Sequence, residues 1–194
     1  MNTTELPIRR YSRVAMILHW LIAALIAVNV GLIWSVNWLP EDSIRLVIDA
    51  HKSTGITVLG LVLLRLLWRA ANAPPPLPDA YPRWEKAAAH SAHVALYLLM
   101  LALPLSGWMH DSAWKAAGEI PMYWYGLFEW PRIGWIMQIE PGFKERLHDI
   151  FGGLHAWLSY GLYALFVLHV GAALKHQWWD RHPELERMLP ERSN

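Results

Sequence analysis

Long stretches without Asp, Glu, Lys or Arg divide this chain into four apolar blocks. It is uncharged between Arg13 and Glu41, between Lys86 and Asp111, and between Asp149 and Lys175. A further block, HKSTGITVLGLVLLRLLWR, has a charge-free core from Ser53 to Leu64 and carries Arg65 and Arg69 toward its end. A hydrocarbon crossing needs about 20 mainly apolar residues, so the first three blocks qualify outright. The other qualifies because arginines near a helix end reach the headgroups, and Trp68 stands where an interfacial aromatic would. The first block is longer than the apolar core of a cleaved signal peptide and contains His19 and Trp20, so it reads as a retained helix. The pattern predicts an all-α fold: an integral membrane four-helix bundle with spans at about 14–38, 50–70, 87–110 and 148–175, residues 1–194 forming one membrane domain.

The polar segments between the blocks supply an orientation. Arg9, Arg10 and Arg13 precede span one, Arg65, Arg69, Arg83 and Lys86 surround the second loop, and Lys175, Arg181, Arg187 and Arg192 follow span four. The first outer loop, about 39–50, holds only Arg45. Cytoplasmic loops concentrate Lys and Arg, which places both termini on the cytoplasmic side and makes the span number even. The proline-rich ANAPPPLPDAYP is then a non-helical inner loop, and residues 176–194 form a polar cytoplasmic tail. The outer stretch 111–147 contains PMYWYGLFEWPRIGW, an aromatic-rich loop between spans three and four. It reads either as a lid along the outer interface or as a plain aromatic belt.

Composition agrees with a lipid environment and removes several classes of function. With 55% hydrophobic residues, 17% charged residues and 13 Trp, the chain is too apolar and aromatic for an ordinary soluble domain. The absence of cysteine excludes disulfides, thiolate-bound iron–sulfur clusters and covalently attached c-type haem. No internal repeat, nucleotide loop, nucleophile triad or nucleic-acid footprint is present.

The candidate chemistry lies in the histidines. Of ten, His176 and His182 fall beyond span four and read as surface residues, while His110 and His148 stand at outer boundaries. His19, His51, His90, His93, His155 and His169 fall inside or at the start of spans. An ionisable side chain there is a functional-site hypothesis, although any single one also serves as an inter-helix hydrogen-bond donor. Fourteen residues is just under four turns, so His155 and His169 project from nearly one face, about 21 Å apart along the axis. His19 lies six residues after Arg13 and His169 six before Lys175, which matches their depths near the inner surface. His51 and His155 match approximately near the outer one. Two imidazoles under-ligate zinc, which takes four ligands, whereas a haem iron takes four nitrogens from its macrocycle and needs two from the protein. Two b-type haems are the natural occupants, with axial pairs His19/His169 inside and His51/His155 outside. Gly31, Gly55, Gly60, Gly152, Gly153 and Gly161 admit a flat macrocycle or serve plain helix packing. A haem-free proton or metal transporter is the alternative from another class, opposed by the matched depths and by carboxylates that lie only at span edges.

Across nearly the whole chain the sequence resembles the bacterial cytochrome b561 family of four-helix, dihaem inner-membrane cytochromes. The resemblance runs from RRYSRVAMILHW through HKSTGITVLGLVLLRLLWR, PPPLP and HSAHVALYLLMLALPLSGW to LHAWLSYGLYALFVLHVGAALKHQWWD. It implies axial ligation by His19, His51, His155 and His169, and electron exchange with membrane quinone, ubiquinone in particular. For some members it implies superoxide oxidation at the outer face. His90 and His93 share one face of span three near the inner level. His93 reads as a competing inner ligand, as a propionate donor, as part of a quinone or proton-transfer position, or as polar packing. Candidate propionate partners are Arg13, Arg69 and Lys175 inside and Lys52, Arg146 or His148 outside. From Asp111 to Leu147 four basic residues face five acidic ones, so the outer stretch is no general basic funnel for superoxide. A periplasmic redox protein docking on the aromatic lid is a further expectation.

Overall fold

The computed structural model describes residues 10–78 and 81–191; Arg9, Arg192 and the pair 79–80 of the proline-rich loop lie outside them. Ser12 caps the first helix, α1 (Arg13–Ser35), its Oγ accepting the Ala15 N–H at 3.3 Å. A 3₁₀ turn (Val36–Trp38) and Pro40 lead into α2 (Glu41–Ala71). This helix begins nine residues before the predicted span, and the first outer loop is correspondingly short. Glu41 and Asp42 suit the positive end of the helix dipole, and Arg45 pairs with Asp49 one turn on at 3.0 Å. A charge-free criterion finds the hydrocarbon-embedded part of a helix but misses a turn or two projecting into the headgroups.

The third long helix, α3 (Arg83–Ser112), contains Pro104. After it come a two-stranded antiparallel hairpin, β1 (Tyr123–Trp124) with β2 (Phe128–Glu129), and the single turn α4 (Gly134–Met137). The last long helix, α5 (Pro141–Leu174), also starts earlier than predicted. Glu140 caps it by accepting the N–H groups of Gly142 and Phe143 at 2.9 and 3.0 Å, and Pro141 occupies the first turn. A π-helical turn (Lys175–Trp179) and the short α6 (Glu184–Arg187) finish the described chain.

Among the described residues, four helical segments are long and apolar enough to cross a membrane: Arg13–Trp38, Glu41–Ala71, Arg83–Ser112 and Pro141–Trp179. They form a bundle in which α1 packs along α2, α2 along α3 and α3 along α5. The best-packed core lies among the first three, where Ile22, Val58 and Val62 are surrounded by Leu25, Ile26, Leu61, Leu66, Tyr97, Met100 and Leu101. Ile17, Leu46, Leu67, Leu98, Val167 and Leu168 point outward and are well exposed. So much outward-facing apolar surface on long helices suits lipid rather than water.

The two ends of the bundle are built differently. At one end the hairpin folds down on α2. Ser53 Oγ donates to the Tyr123 carbonyl at 3.2 Å and accepts the Tyr125 N–H at 2.9 Å, Tyr125 Oη meets Thr54 Oγ1 at 3.0 Å, and Trp124 Nε1 donates to Thr57 Oγ1. Those bonds hold Tyr125 at φ 49°, beside Gly126 at φ 72°, in the turn the hairpin requires. At the opposite, terminal end, the segment expected as a polar tail is packed down. Arg187 is 5% exposed, donates to the carbonyls of Pro75 and Pro76 and to Glu184, and its own carbonyl accepts the Tyr11 N–H. Tyr81 stacks on His176 with ring centroids 4.7 Å apart and donates to Glu184. Burial and the Glu184 carboxylate push the Tyr81 phenol above its ordinary range, so it remains a donor.

Candidate functional site

The fold brings the predicted histidines together at two levels. Toward the hairpin end, His51 on α2 faces His155 on α5 with ring centroids 6.1 Å apart and planes crossed at 82°. Toward the terminal end, His19 on α1 faces His169 on α5 at 6.3 Å and 65°. Two imidazoles bonded to one metal from opposite sides, at metal–nitrogen distances of about 2.0 Å, have ring centroids about 6.3 Å apart. Both pairs meet that spacing. His93 on α3 lies 5.5 Å from His169, shorter than that opposed-ligand spacing, and stands beside the inner pair as a third imidazole.

At the hairpin-end pair, the Nδ1–H groups are already engaged. His51 Nδ1 donates to the Asn29 carbonyl at 3.1 Å, and His155 Nδ1 donates to the Leu103 carbonyl at 3.0 Å with Ser106 Oγ 3.1 Å away. A donated Nδ1–H fixes the tautomer and leaves Nε2 with its lone pair free, the state a metal-ligating histidine needs. Gly107 leaves room for the ring, because a Cβ there would lie 3.2 Å from His155 and press on it. These supporting groups were not legible in the sequence. Asn29 and Leu103 act through backbone carbonyls, which carry no residue-type signature, and Gly107 is one small residue in a span where small residues are ordinary. Pro104 is no signal for them either, since a proline frees the carbonyl four residues before it, that of Met100, and not that of Leu103.

The predicted propionate partners are placed unevenly. Arg13 is exposed on the first turn of α1, whereas Arg65 interacts electrostatically with His19, His93 and His169, and Arg69 with His93. Lys52 is held by Asp111 at 2.6 Å and by Asp49 at 3.6 Å. The same Asp111 accepts from Arg132 Nε at 2.8 Å, so one buried carboxylate ties α2 and α3 to the outer segment. Lys175 pairs with Glu85 and Asp180. Arg146 is exposed. His148 exchanges hydrogen bonds with His110, each Nδ1 donating to the other's carbonyl at 2.8 and 3.0 Å, with the rings stacked at 3.9 Å. Gly152 admits that pair, because a Cβ there would come within 2.8 Å of His110; here the glycine serves helix packing.

Among the described residues no group of three or more His, Cys, Asp or Glu is arranged for a bare metal ion. The donor set is instead two facing pairs of imidazoles at two depths of an apolar helical bundle. That combination suits a membrane-embedded cytochrome of the b type, since a haem macrocycle supplies four nitrogens to the iron and leaves two positions for a protein to fill.

Comparison with known proteins narrows this to one family. The family profile described as prokaryotic cytochrome b561 matches residues 10–191. The chain is 33% identical to cytochrome b561 homolog 2 of Escherichia coli (strain K12), over 100% of this chain and 98% of that protein. It is 27% identical to cytochrome b561 homolog 1 of the same organism, over 94% and 98%, and 26% identical to a Yersinia pestis protein described as probable superoxide oxidase CybB, over 95% and 98%. The chain belongs to the prokaryotic cytochrome b561 family: it is a multi-pass membrane protein of a family whose membership implies b-type haem and transmembrane electron transfer.

Proposed function

We propose that this protein carries electrons across the bacterial inner membrane through two b-type haems, one held by His51 and His155 and the other by His19 and His169. Electrons are exchanged with membrane quinone, ubiquinone being the expected species. The observation that carries the reading is the pair of centroid separations, 6.1 and 6.3 Å, at two levels of one helix. When bound, each haem supplies a one-electron redox centre in a low-dielectric interior; the protein places, holds and tunes it. His51 and His155 are presented with Nδ1 occupied by carbonyls, and α5 spaces the levels by fourteen residues, about 21 Å. The lysine and arginine distribution puts the terminal end in the cytoplasm and the hairpin end outside. Purified protein should contain two haems per chain with a low-spin bis-imidazole spectrum. One haem, or none, would reject the proposal.

Superoxide oxidation is the second reading, favoured by the similarity to the Yersinia pestis relative. The outer cations nearest the His51 level do not form an open funnel: Asp111 pairs with both Lys52 and Arg132, whose side chains are 19% and 7% exposed. Quinone reduction during enzymatic superoxide generation decides the matter, and a rate no higher than the protein-free background rejects it.

A further inference from the structure

At the terminal end, a cavity of about 630 Å³ opens between the start of α1, the end of α2, the proline-rich loop and α3. Three guanidiniums line it, those of Arg10, Arg65 and Arg69, together with the rings of Tyr11, Trp68 and Tyr97; no Asp or Glu is among its lining residues. The arginines are engaged only by neutral groups. Arg10 donates to the Leu189 carbonyl, Arg65 Nε donates to the Tyr97 hydroxyl at 3.0 Å, and Arg65 and Arg69 both stand over the Tyr97 ring at about 6 Å. No carboxylate pairs with any of the three among the described residues. Elsewhere the same end pairs its charges: Lys175 with Glu85 and Asp180, and Arg187 with Glu184.

Three cations around one partly dry cavity repel one another unless an anion joins them. A guanidinium offers five donors in a planar fork, which fits the paired unbridged oxygens of a phosphate. The surroundings specify more than a free ion. Trp68, its Nε1 donating to Ser12 Oγ at 3.0 Å, lies at the end of a membrane span, where aromatic side chains settle at the headgroup level. The same turns of α1 and α2 carry exposed Val14, Ile17, Leu64 and Leu67, apolar surface for acyl chains directly beside a cationic recess. Basic pockets between spans at the cytoplasmic side are suited to acidic phospholipid headgroups. No residue of α5, the helix shared by both histidine pairs, lines the cavity, which sets it apart from the space between His19 and His169.

We propose that this cavity is a binding site for the phosphodiester headgroup of an anionic phospholipid, with Arg10 and Arg69 as its specific contacts and Arg65 linking it to the inner histidines. The site stands independently of the electron-transfer reading. The test is native mass spectrometry of the haem-loaded, delipidated protein titrated with phosphatidylglycerol, with phosphatidylcholine, and with phosphatidylglycerol in excess inorganic phosphate. The wild type should retain one phosphatidylglycerol in preference to phosphatidylcholine, unaffected by millimolar phosphate. Arg10→Gln should weaken that retention about fivefold with the haem spectrum unchanged, and Arg69→Gln should weaken it by a similar factor. Equal retention of the two lipids overturns the proposal without recourse to any variant. Displacement by inorganic phosphate overturns it in favour of a free-anion site. Unchanged lipid retention in the variants, accompanied by a shifted haem spectrum or lost haem, overturns it in favour of a haem carboxylate.

Discussion

The two histidine pairs have nearly the same separation and quite different surroundings. At the hairpin end both rings are anchored by hydrogen bonds from Nδ1 to backbone carbonyls, and the nearby cations Lys52 and Arg132 are ion-paired with Asp111. At the terminal end no hydrogen bond holds His19 or His169 among the described residues; a third histidine and two arginines stand near instead. The difference shows how one scaffold gives two like pairs of imidazoles unlike surroundings. A carbonyl accepting from Nδ1–H makes the imidazole a stronger donor and favours the oxidised iron, whereas nearby guanidiniums favour the reduced iron. On the proposed reading, the outer centre therefore has the lower potential and electrons run downhill from the hairpin end to the terminal end.

The largest expected effect comes from removing an axial candidate. His155→Ala and His169→Ala should each lower bound haem from two per chain to about one, the first removing the outer centre and the second the inner, as read by the haem-to-protein ratio and by which potential disappears. Retention of both haems in either variant breaks the comparison at its root. Gly107→Val should come next. Its side chain must occupy space 3.2 Å from the His155 ring, an overpacking worth about 1–3 kcal/mol, so outer haem is lost or turns high-spin while the inner centre is unchanged. Gly152→Ala is the matched control: it collides with His110, lowers thermal stability by a similar amount and leaves the haem ratio at two.

Smaller effects sharpen the electrostatic contrast. Arg65→Gln should lower the inner potential by roughly tens of millivolts and leave the outer one in place, since the removed cation interacts electrostatically with His19, His93 and His169. Redox titration in the visible resolves this, and an unmoved inner potential would mean the arginine is screened. Ser106→Ala should have the smallest effect. Ser106 Oγ donates to the same Leu103 carbonyl that accepts from His155, so its removal strengthens the ring's bond and lowers the outer potential slightly.

The helices and the depths of their histidines were readable in advance because a bilayer imposes length and the α-helix imposes period. Four apolar blocks became four long helices, and the fourteen-residue spacing on α5 follows from 3.6 residues per turn whatever the helix touches. Helix ends were less readable: α2 and α5 each run on into charged sequence, where capping by Glu140 or favourable charges in a first turn replace hydrophobicity as the deciding factor. The C-terminal segment looked like a polar tail because Arg187 and Tyr81 become buried only through each other's neighbours, far away in the chain.

What the sequence determined by itself was the solvent, the number of helices and the heights at which imidazoles stand, all set by local composition and by the geometry of one helix at a time. Tertiary structure alone decided what surrounds those imidazoles. It placed Arg65 rather than Arg13 beside the inner pair, took Lys52 into an ion pair with Asp111, brought Leu103 and Gly107 against His155, and assembled three arginines around one cavity. The physical reason is that each of these brings together segments about fifty to more than a hundred positions apart in the chain. Many are made by backbone carbonyls or by a missing Cβ, features with no side-chain chemistry to read.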